Sequence, residues 1–243
     1  MSSNCPGLYF DIGKKARDVL YKDYAQKPPT HFNYKCLDWM FDLSCKIEAV
    51  APGLNTVVGC AIPSAAKVEL QHLRDFAGIT GGIELKTNSF GGFDPVLNFS
   101  GAVGTTLFSV GTDVGFDIAT RAFSELNAGL SFNSAFLIAS LNLDRLDMIK
   151  ASCHYTVSPQ TNTAIAAELK HRFSVNETAL TIGAQHAFFP FMTVKGRIST
   201  QGMVSALVQQ GLWDKLFLTI AGEVDFLSSG MIPKLGVSMA FRI

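Results

Sequence analysis

Residues 162–187 read NTAIAAELKHRFSVNETALTIGAQHA, two runs joined by a short polar turn at Ser174–Glu177. In the first run Ile165, Ala167, Leu169 and Phe173 alternate with Ala166, Glu168, Lys170 and Arg172. In the second, Leu180, Ile182 and Ala184 alternate with Thr181, Gly183 and Gln185. Period-two alternation marks β-strands with one apolar and one polar face. About ten residues per strand also suffices to cross a bilayer at a tilt near 45°. A soluble sandwich alternates as well, so a single hairpin leaves both architectures open.

Repetition along the chain separates them. Alternating segments run Phe41–Val50, Leu54–Ile62, Lys67–Phe76, Gly78–Lys86, Val96–Gly104, Leu107–Asp117, Glu125–Phe132, Ala135–Leu143, Met148–Val157 and Asn162–Phe173. Five more begin near Thr178, Phe191, Met203, Lys215 and Lys234, and Phe32–Cys36 adds a short irregular one. Leu97, Phe99 and Val103 share one face against Asn98 and Ser100. Phe108, Val110, Val114 and Phe116 oppose Asp113 and Asp117, and Leu216, Leu218, Ile220 and Val224 oppose Thr219, Glu223 and Asp225. A charge on the lipid face of a barrel costs about 2–4 kcal/mol for Lys or Arg at the midplane. Charges kept to one face of strand after strand therefore favour a transmembrane antiparallel β-barrel. The stretch Ser89–Pro95, rich in Gly and closed by Pro, is expected to be a connection.

Composition agrees. Only 16% of the 243 residues are charged, yet mean hydropathy is +0.24, and soluble chains carry about 25% charged residues. No window reaches the roughly 18 apolar residues of a membrane helix, so the apolarity is spread over alternate positions. A net charge of zero gives no basis for nucleic-acid binding. The first residues lack the apolar core and cleavage site of a secretory signal, so import from the cytosol into a mitochondrion or plastid is expected. Cys5, Cys36, Cys45, Cys60 and Cys153 follow no CxxC pattern and read as small apolar filler. His31, His72, His154, His171 and His186 have no metal-ligand spacing, and no nucleophile elbow or Walker loop occurs. No enzyme, metal or cofactor is expected, and Glu168 and Glu223 read as solvated pore-lining groups.

Near the N-terminus Leu8, Ile12, Ala16, Val19 and Leu20 recur at helical spacing, with Lys14, Lys15, Arg17, Asp18 and Lys22 on the other side. An amphipathic helix over residues 5–24 is predicted, ended before Pro28-Pro29.

Gly7-Leu8-Tyr9, Asp11-Ile12-Gly13-Lys14-Lys15-Ala16-Arg17-Asp18 and Leu20-Tyr21-Lys22-Asp23-Tyr24 resemble the start of plant voltage-dependent anion channels, the eukaryotic mitochondrial outer-membrane porins. Similarity resumes near Phe41 and continues through Ala51-Pro52-Gly53-Leu54, Lys67-Val68-Glu69-Leu70-Gln71, Val96–Gly101 and Ile220–Asp225. The resemblance implies a barrel of nineteen strands with its N-terminal helix inside the pore. Between the helix and about residue 41 this chain is short, and about sixteen strands are counted. His186, Pro190, Lys195 and Arg197 match a late family signature, but Phe189 and Met192 replace its Asp and Thr. Asn55 stands where relatives carry a Lys linked to nucleotide contact, so neither motif is carried over as a site.

The expectation is a single porin domain over 1–243, with a helix at 5–24 and strands over 31–243. It would be a voltage-gated channel for small hydrophilic metabolites and ions, anions included, across the mitochondrial outer membrane, a plastid envelope being the lesser choice. The expected lining is Lys46, Lys86, Asp113, Lys150, Glu168, Lys170, Arg172, Lys195, Arg197, Glu223 and Lys234, with Asp11, Lys14, Lys15, Arg17 and Lys22 on the gating helix. Its partners would be the lipid bilayer, small anionic metabolites, inorganic ions and further copies of itself. Two readings stand beside it: a shortened porin paralogue that does not conduct, and a soluble β-barrel carrier of an apolar ligand.

Overall fold

The structure is a computed structural model that describes residues 5–22, 24, 41–51, 54–62, 65–87, 93–188, 191–213, 216–227 and 233–241. Side chains are described for these residues except 41–65, 86–87, 212–213 and 238–241. A 3-10 turn at Tyr9–Asp11 and helix α1 at Lys14–Leu20 precede fifteen strands. These are β1 (Phe41–Ala51), β2 (Leu54–Ile62), β3 (Ala65–Arg74), β4 (Ala77–Thr87) and β5 (Phe93–Gly104). Then come β6 (Phe108–Asp117), β7 (Ala122–Asn133), β8 (Leu137–Asp144), β9 (Met148–Ser158) and β10 (Thr163–Arg172). The last are β11 (Glu177–Phe188), β12 (Met192–Ser199), β13 (Met203–Trp213), β14 (Leu216–Asp225) and β15 (Lys234–Phe241). Strand order in the sheet is chain order, and pairing is antiparallel, as short hairpin connections require.

The strands fall within a few residues of their predicted positions, because alternation reports the pleat directly. Two expectations change. Phe93–Pro95 belong to β5 rather than to a connection, and Pro95 sits near the strand's start, opposite Leu85, where its missing N–H is tolerated. The helix does not run through 5–24: Gly13, at φ 70°, interrupts it, leaving a 3-10 turn and seven α-helical residues. That left-handed conformation suits glycine, and it turns the chain so that Ile12, Ala16, Val19 and Leu20 are all buried. The strand expected at Phe32–Cys36 lies outside the described residues, which hold fifteen of the roughly sixteen strands counted in the sequence.

The chain gathers into two compact units, one of residues 1–12, 37–133 and 140–149, the other of 13–36, 134–139 and 150–243. In the first, Tyr9 lies over Gly111 and Ile12 over Gly129, on the face that carries Ser109, Asp113 and Ser131. In the second, α1 lies on β10 and β11. In both, the residues under the N-terminal segment are small or polar, while the alternate residues are large, apolar and exposed.

Turn residues decide how tightly the hairpins close. Asn162 and Asn176 take φ of 45° and 49° at the β9–β10 and β10–β11 turns, a conformation asparagine tolerates well. The β8–β9 turn is closed by Asp147 N donating to Asp144 O at 3.1 Å, and its two central residues, Arg145 and Leu146, have φ of 51° and 58°. This is the two-residue hairpin that favours Asn-Gly, here built from residues that pay about 1–2 kcal/mol each for the left-handed region. Replacing Arg145→Asn together with Leu146→Gly should stabilise the folded protein by about 1–2 kcal/mol. The change is measured as a higher urea midpoint in detergent micelles.

Candidate functional site

Helix α1 has seven residues, and isolated helices below about 12–15 residues are marginal in water. Its seat holds it. Ala16, Val19 and Leu20 pack with Ala164 and Ala166 of β10 in one buried cluster. Gly183 of β11 completes the seat: a Cβ there would stand 2.7 Å from Leu20 Cδ2 and 2.9 Å from the Gly196 carbonyl oxygen. Full burial of a Leu or Val contributes about 1.5–3 kcal/mol, so this contact outweighs the helix's own propensity.

The helix C-terminus is held by charge. Its last carbonyls have no intrahelical donors, and β12 supplies two cations on one face. Lys195 Nζ donates to Asp18 O at 2.9 Å and to Lys22 O at 3.5 Å. Arg197 Nη1 donates to Leu20 O at 2.9 Å, Nη2 to Glu223 Oε2 at 3.0 Å and Nε to Ser205 Oγ at 3.1 Å. Ser205 Oγ donates to the same Glu223 oxygen at 3.1 Å. The guanidinium also lies 4.5 Å from the Tyr24 ring centroid and 5.3 Å from that of Tyr21. A cation at a helix C-terminus contributes about 0.3–1 kcal/mol when exposed and up to about 2 when partly buried.

A second network joins the segment to β10. The Tyr21 hydroxyl donates to Glu168 Oε1, and Lys170 Nζ donates to the Tyr21 hydroxyl at 2.9 Å. Lys170 Nζ is also 2.8 Å from Glu168 Oε1. A buried carboxylate needs such partners to offset its lost hydration, and Glu168 is only 3% exposed. Burial raises the Tyr21 phenol, with Glu168 adding to the shift. Burial pushes Tyr24 up to about 12 against the opposing charge of Arg197. Both phenols stay neutral at physiological pH.

In the first unit the polar face is paired more simply. Lys67 Nζ meets Glu69 Oε1 at 2.7 Å and lies 5.6 Å from the Phe10 ring centroid. Asn127 Nδ2 donates to Asp113 Oδ2 at 3.1 Å, and Asn98 Nδ2 to Glu84 Oε2 at 3.3 Å. Arg145 Nη2 donates to Glu125 Oε1 at 3.3 Å.

Among the residues expected to line a pore, Asp113, Glu168 and Lys195 are buried. Lys150, Lys170, Arg197 and Glu223 are half-buried, and Arg172 and Lys234 are exposed. Lys46 and Lys86 lie on β1 and β4, outside the residues with described side chains. On the N-terminal segment Asp11, Lys14, Lys15 and Lys22 are exposed and Arg17 is half-buried. The structure brings Glu168 to Lys170, and Glu223 to Arg197 and Lys234, the last at 3.9 Å. Glu168 and Glu223 are thus not freely solvated, because Tyr21 and Arg197 cover them. Sequence reading missed Tyr21, Tyr24 and Ser205 as parts of the site. The available signal was the pair Lys195 and Arg197, two apart on one strand face, with aromatics at the end of the helical stretch.

The other face carries Phe99 at 60%, Val103 at 59% and Leu235 at 64% exposure, with Leu97, Val110, Leu130, Ile165, Leu169, Ile182 and Ile220 also exposed. An apolar surface this extensive marks a lipid or protein contact rather than a water-facing surface. Among solved structures, a triple mutant of Rh. blastica porin matches at TM-score 0.50 and 8% identity, covering 83% of this chain and 96% of its own. Strand pattern, face chemistry and this likeness in fold define a transmembrane β-barrel.

A family model described as eukaryotic porin matches residues 37–236. The chain is 39% identical to the mitochondrial outer membrane protein porin of 36 kDa from Solanum tuberosum over 277 aligned residues, with 98% of each chain covered. It is 36% identical to mitochondrial outer membrane protein porin 1 of Arabidopsis thaliana and 34% to an outer plastidial membrane protein porin of Pisum sativum, at the same coverage. The chain therefore belongs to the eukaryotic porin family. It is a channel for ions and metabolites across the mitochondrial outer membrane, and not an enzyme. An alignment of 277 positions against 243 residues also means that the relatives carry sequence this chain lacks.

The face assignment has a direct check. Phe99→Arg should cost about 2–4 kcal/mol of insertion free energy, whereas Asn98→Arg, one residue away on the polar face, should insert like the parent. Urea-dependent folding into liposomes measures both.

Proposed function

We propose that this channel is a water-filled, voltage-gated pore for small hydrophilic metabolites and inorganic ions, anionic metabolites among them, with weak preference between anions and cations. Charge pairing on the polar face carries the reading. Lys67 with Glu69, Arg145 with Glu125, Lys170 with Glu168, and Arg197 and Lys234 with Glu223 leave cations neighbouring acids. Selectivity follows the net charge lining a pore, and paired charges across a wide aqueous path are further screened by salt.

In this reading Lys46, Lys86, Asp113, Lys150, Glu168, Lys170, Arg172, Lys195, Arg197, Glu223 and Lys234 form the wall, and residues 1–243 act as a single porin domain. The N-terminal segment, with Asp11, Lys14, Lys15, Arg17 and Lys22 on it, is the gating element. Its seat combines small apolar contacts with a few charge-assisted hydrogen bonds, a combination that a field acting on those charges can disturb. The exposed apolar face serves lipid and, where copies meet, a homo-oligomer.

Reversal potential in a planar bilayer under a potassium chloride gradient tests the wall. It should lie close to zero, with current falling as the applied voltage rises. A strongly chloride-selective open state would overturn the pairing argument.

A further inference from the structure

We infer that His171 and His186 are binding sites for phospholipid headgroups, one at each rim of the lipid face of β10 and β11. At each, the ring Nε2–H donates to a headgroup phosphate oxygen.

One ladder carries both sites. His171 pairs with Thr178, and Thr163 and His186 stand one step beyond Ala164↔Gln185 in the same register. The pleat puts all four on the face of the exposed Ile165, Leu169, Leu180 and Ile182. From Thr163 to His171 the strand covers about 26 Å at about 3.3 Å per residue. At a barrel tilt of about 35–45° that is about 20 Å along the membrane normal, against an apolar band about 25 Å tall. Each imidazole therefore reaches a rim, where the lipid phosphates begin.

The two ends are built alike. His171 Nδ1 is 2.8 Å from Thr178 Oγ1, and its ring meets Phe173 edge-on with centroids 5.0 Å apart. His186 Nδ1 is 2.7 Å from Thr163 Oγ1, which is 2.6 Å from Thr161 Oγ1, and its ring meets Phe188 edge-on at 4.3 Å. A threonine hydroxyl that donates to Nδ1 leaves the neutral ring its proton on Nε2. Among the described residues no protein group bonds either Nε2, and both atoms are open to the surface. A ring N–H without an acceptor is costly against hydrocarbon, and at the rim the acceptor within reach is a lipid phosphate.

Charge favours the same ligand. Among the described residues no Asp, Glu, Lys or Arg lies on this face of β9, β10, β11 or β12, so no carboxylate repels the phosphate. Arg172 and Glu177 are paired in register near His171, but on the polar face, where Gln201 Nε2 donates to Glu177 Oε1 at 2.8 Å. Residues 159–167 and 184–188, around His186, hold no charged side chain. Two such bonds, one in each leaflet, set the height of the ladder that carries Glu168 and Lys170.

The test uses the full chain with isotope-labelled histidine in phosphatidylcholine vesicles. Magnetic dephasing of each ring nitrogen by phosphorus reads its distance to the lipid phosphate. Two Nε2 signals should dephase, one absent from H171Q and the other from H186Q. T178V and T163V keep the rings but free Nδ1, so dephasing at the neighbouring histidine should fall at least twofold. In galactolipid vesicles, which carry no phosphate, added inorganic phosphate should give no dephasing. Absence of dephasing at both histidines of the parent in phosphatidylcholine would overturn the proposal. Dephasing that survives in H171Q with H186Q would do the same, because other histidines would then be its source. Full dephasing in T178V and T163V would show that the hydroxyls do not set the donor. Equal dephasing by free phosphate would make these small-anion sites and not headgroup sites.

Discussion

Backbone hydrogen bonding between neighbouring strands is the constraint on which the rest of this structure depends. In hydrocarbon an unpaired amide or carbonyl costs several kcal/mol, so a chain crossing a bilayer in extended form must satisfy those groups with adjacent strands. Registers such as Ala164↔Gln185 through Arg172↔Glu177 do this residue by residue. Once the backbone is committed, the pleat sends alternate side chains to opposite faces. Ile165 and Leu169 go to one face, and Glu168 and Lys170 go to the other. Length, alternation and the separation of charge from lipid all follow from that geometry.

The N-terminal segment solves a different problem. Seven helical residues cannot stabilise themselves, and the polar face offers no large apolar surface. The strands meet this with small residues: Ala164, Ala166 and Gly183 make a shallow apolar seat within a face that is otherwise polar. Charge-assisted hydrogen bonds from Lys195 and Arg197 then fix the end of the helix. Apolar contact is limited to a few side chains, and the carbonyl acceptors can exchange the protein donors for water at modest net cost.

The charges themselves divide into those paired within the sheet and those paired to the segment. Lys67 with Glu69 and Lys170 with Glu168 are two residues apart on one strand, so the pleat places them side by side. Arg197 reaches Glu223 across β13, through Ser205. Such pairs are fixed by strand register. Contacts to the Asp18, Leu20 and Lys22 carbonyls join the N-terminal segment to β12 instead.

Strand positions, the two faces, the family and the absence of an apolar membrane helix were legible in the chain itself, because period-two alternation is a local property of consecutive residues. The apolar stripe of the N-terminal segment was legible for the same reason at a period of 3.6. Its interruption at Gly13 was not, since a glycine within a periodic stretch is compatible with either outcome until packing chooses. Pairings between residues far apart were also beyond local reading. Tyr21 meets Glu168 and Arg197 meets the Leu20 carbonyl only because the segment lies across β10–β12. Glu168, polar by its position in the alternation, reads as solvated from the sequence and is buried in the fold. Alternation tells which face a side chain takes; what lies over that face is decided by tertiary contact, because burial depends on a segment well over a hundred residues away in the chain.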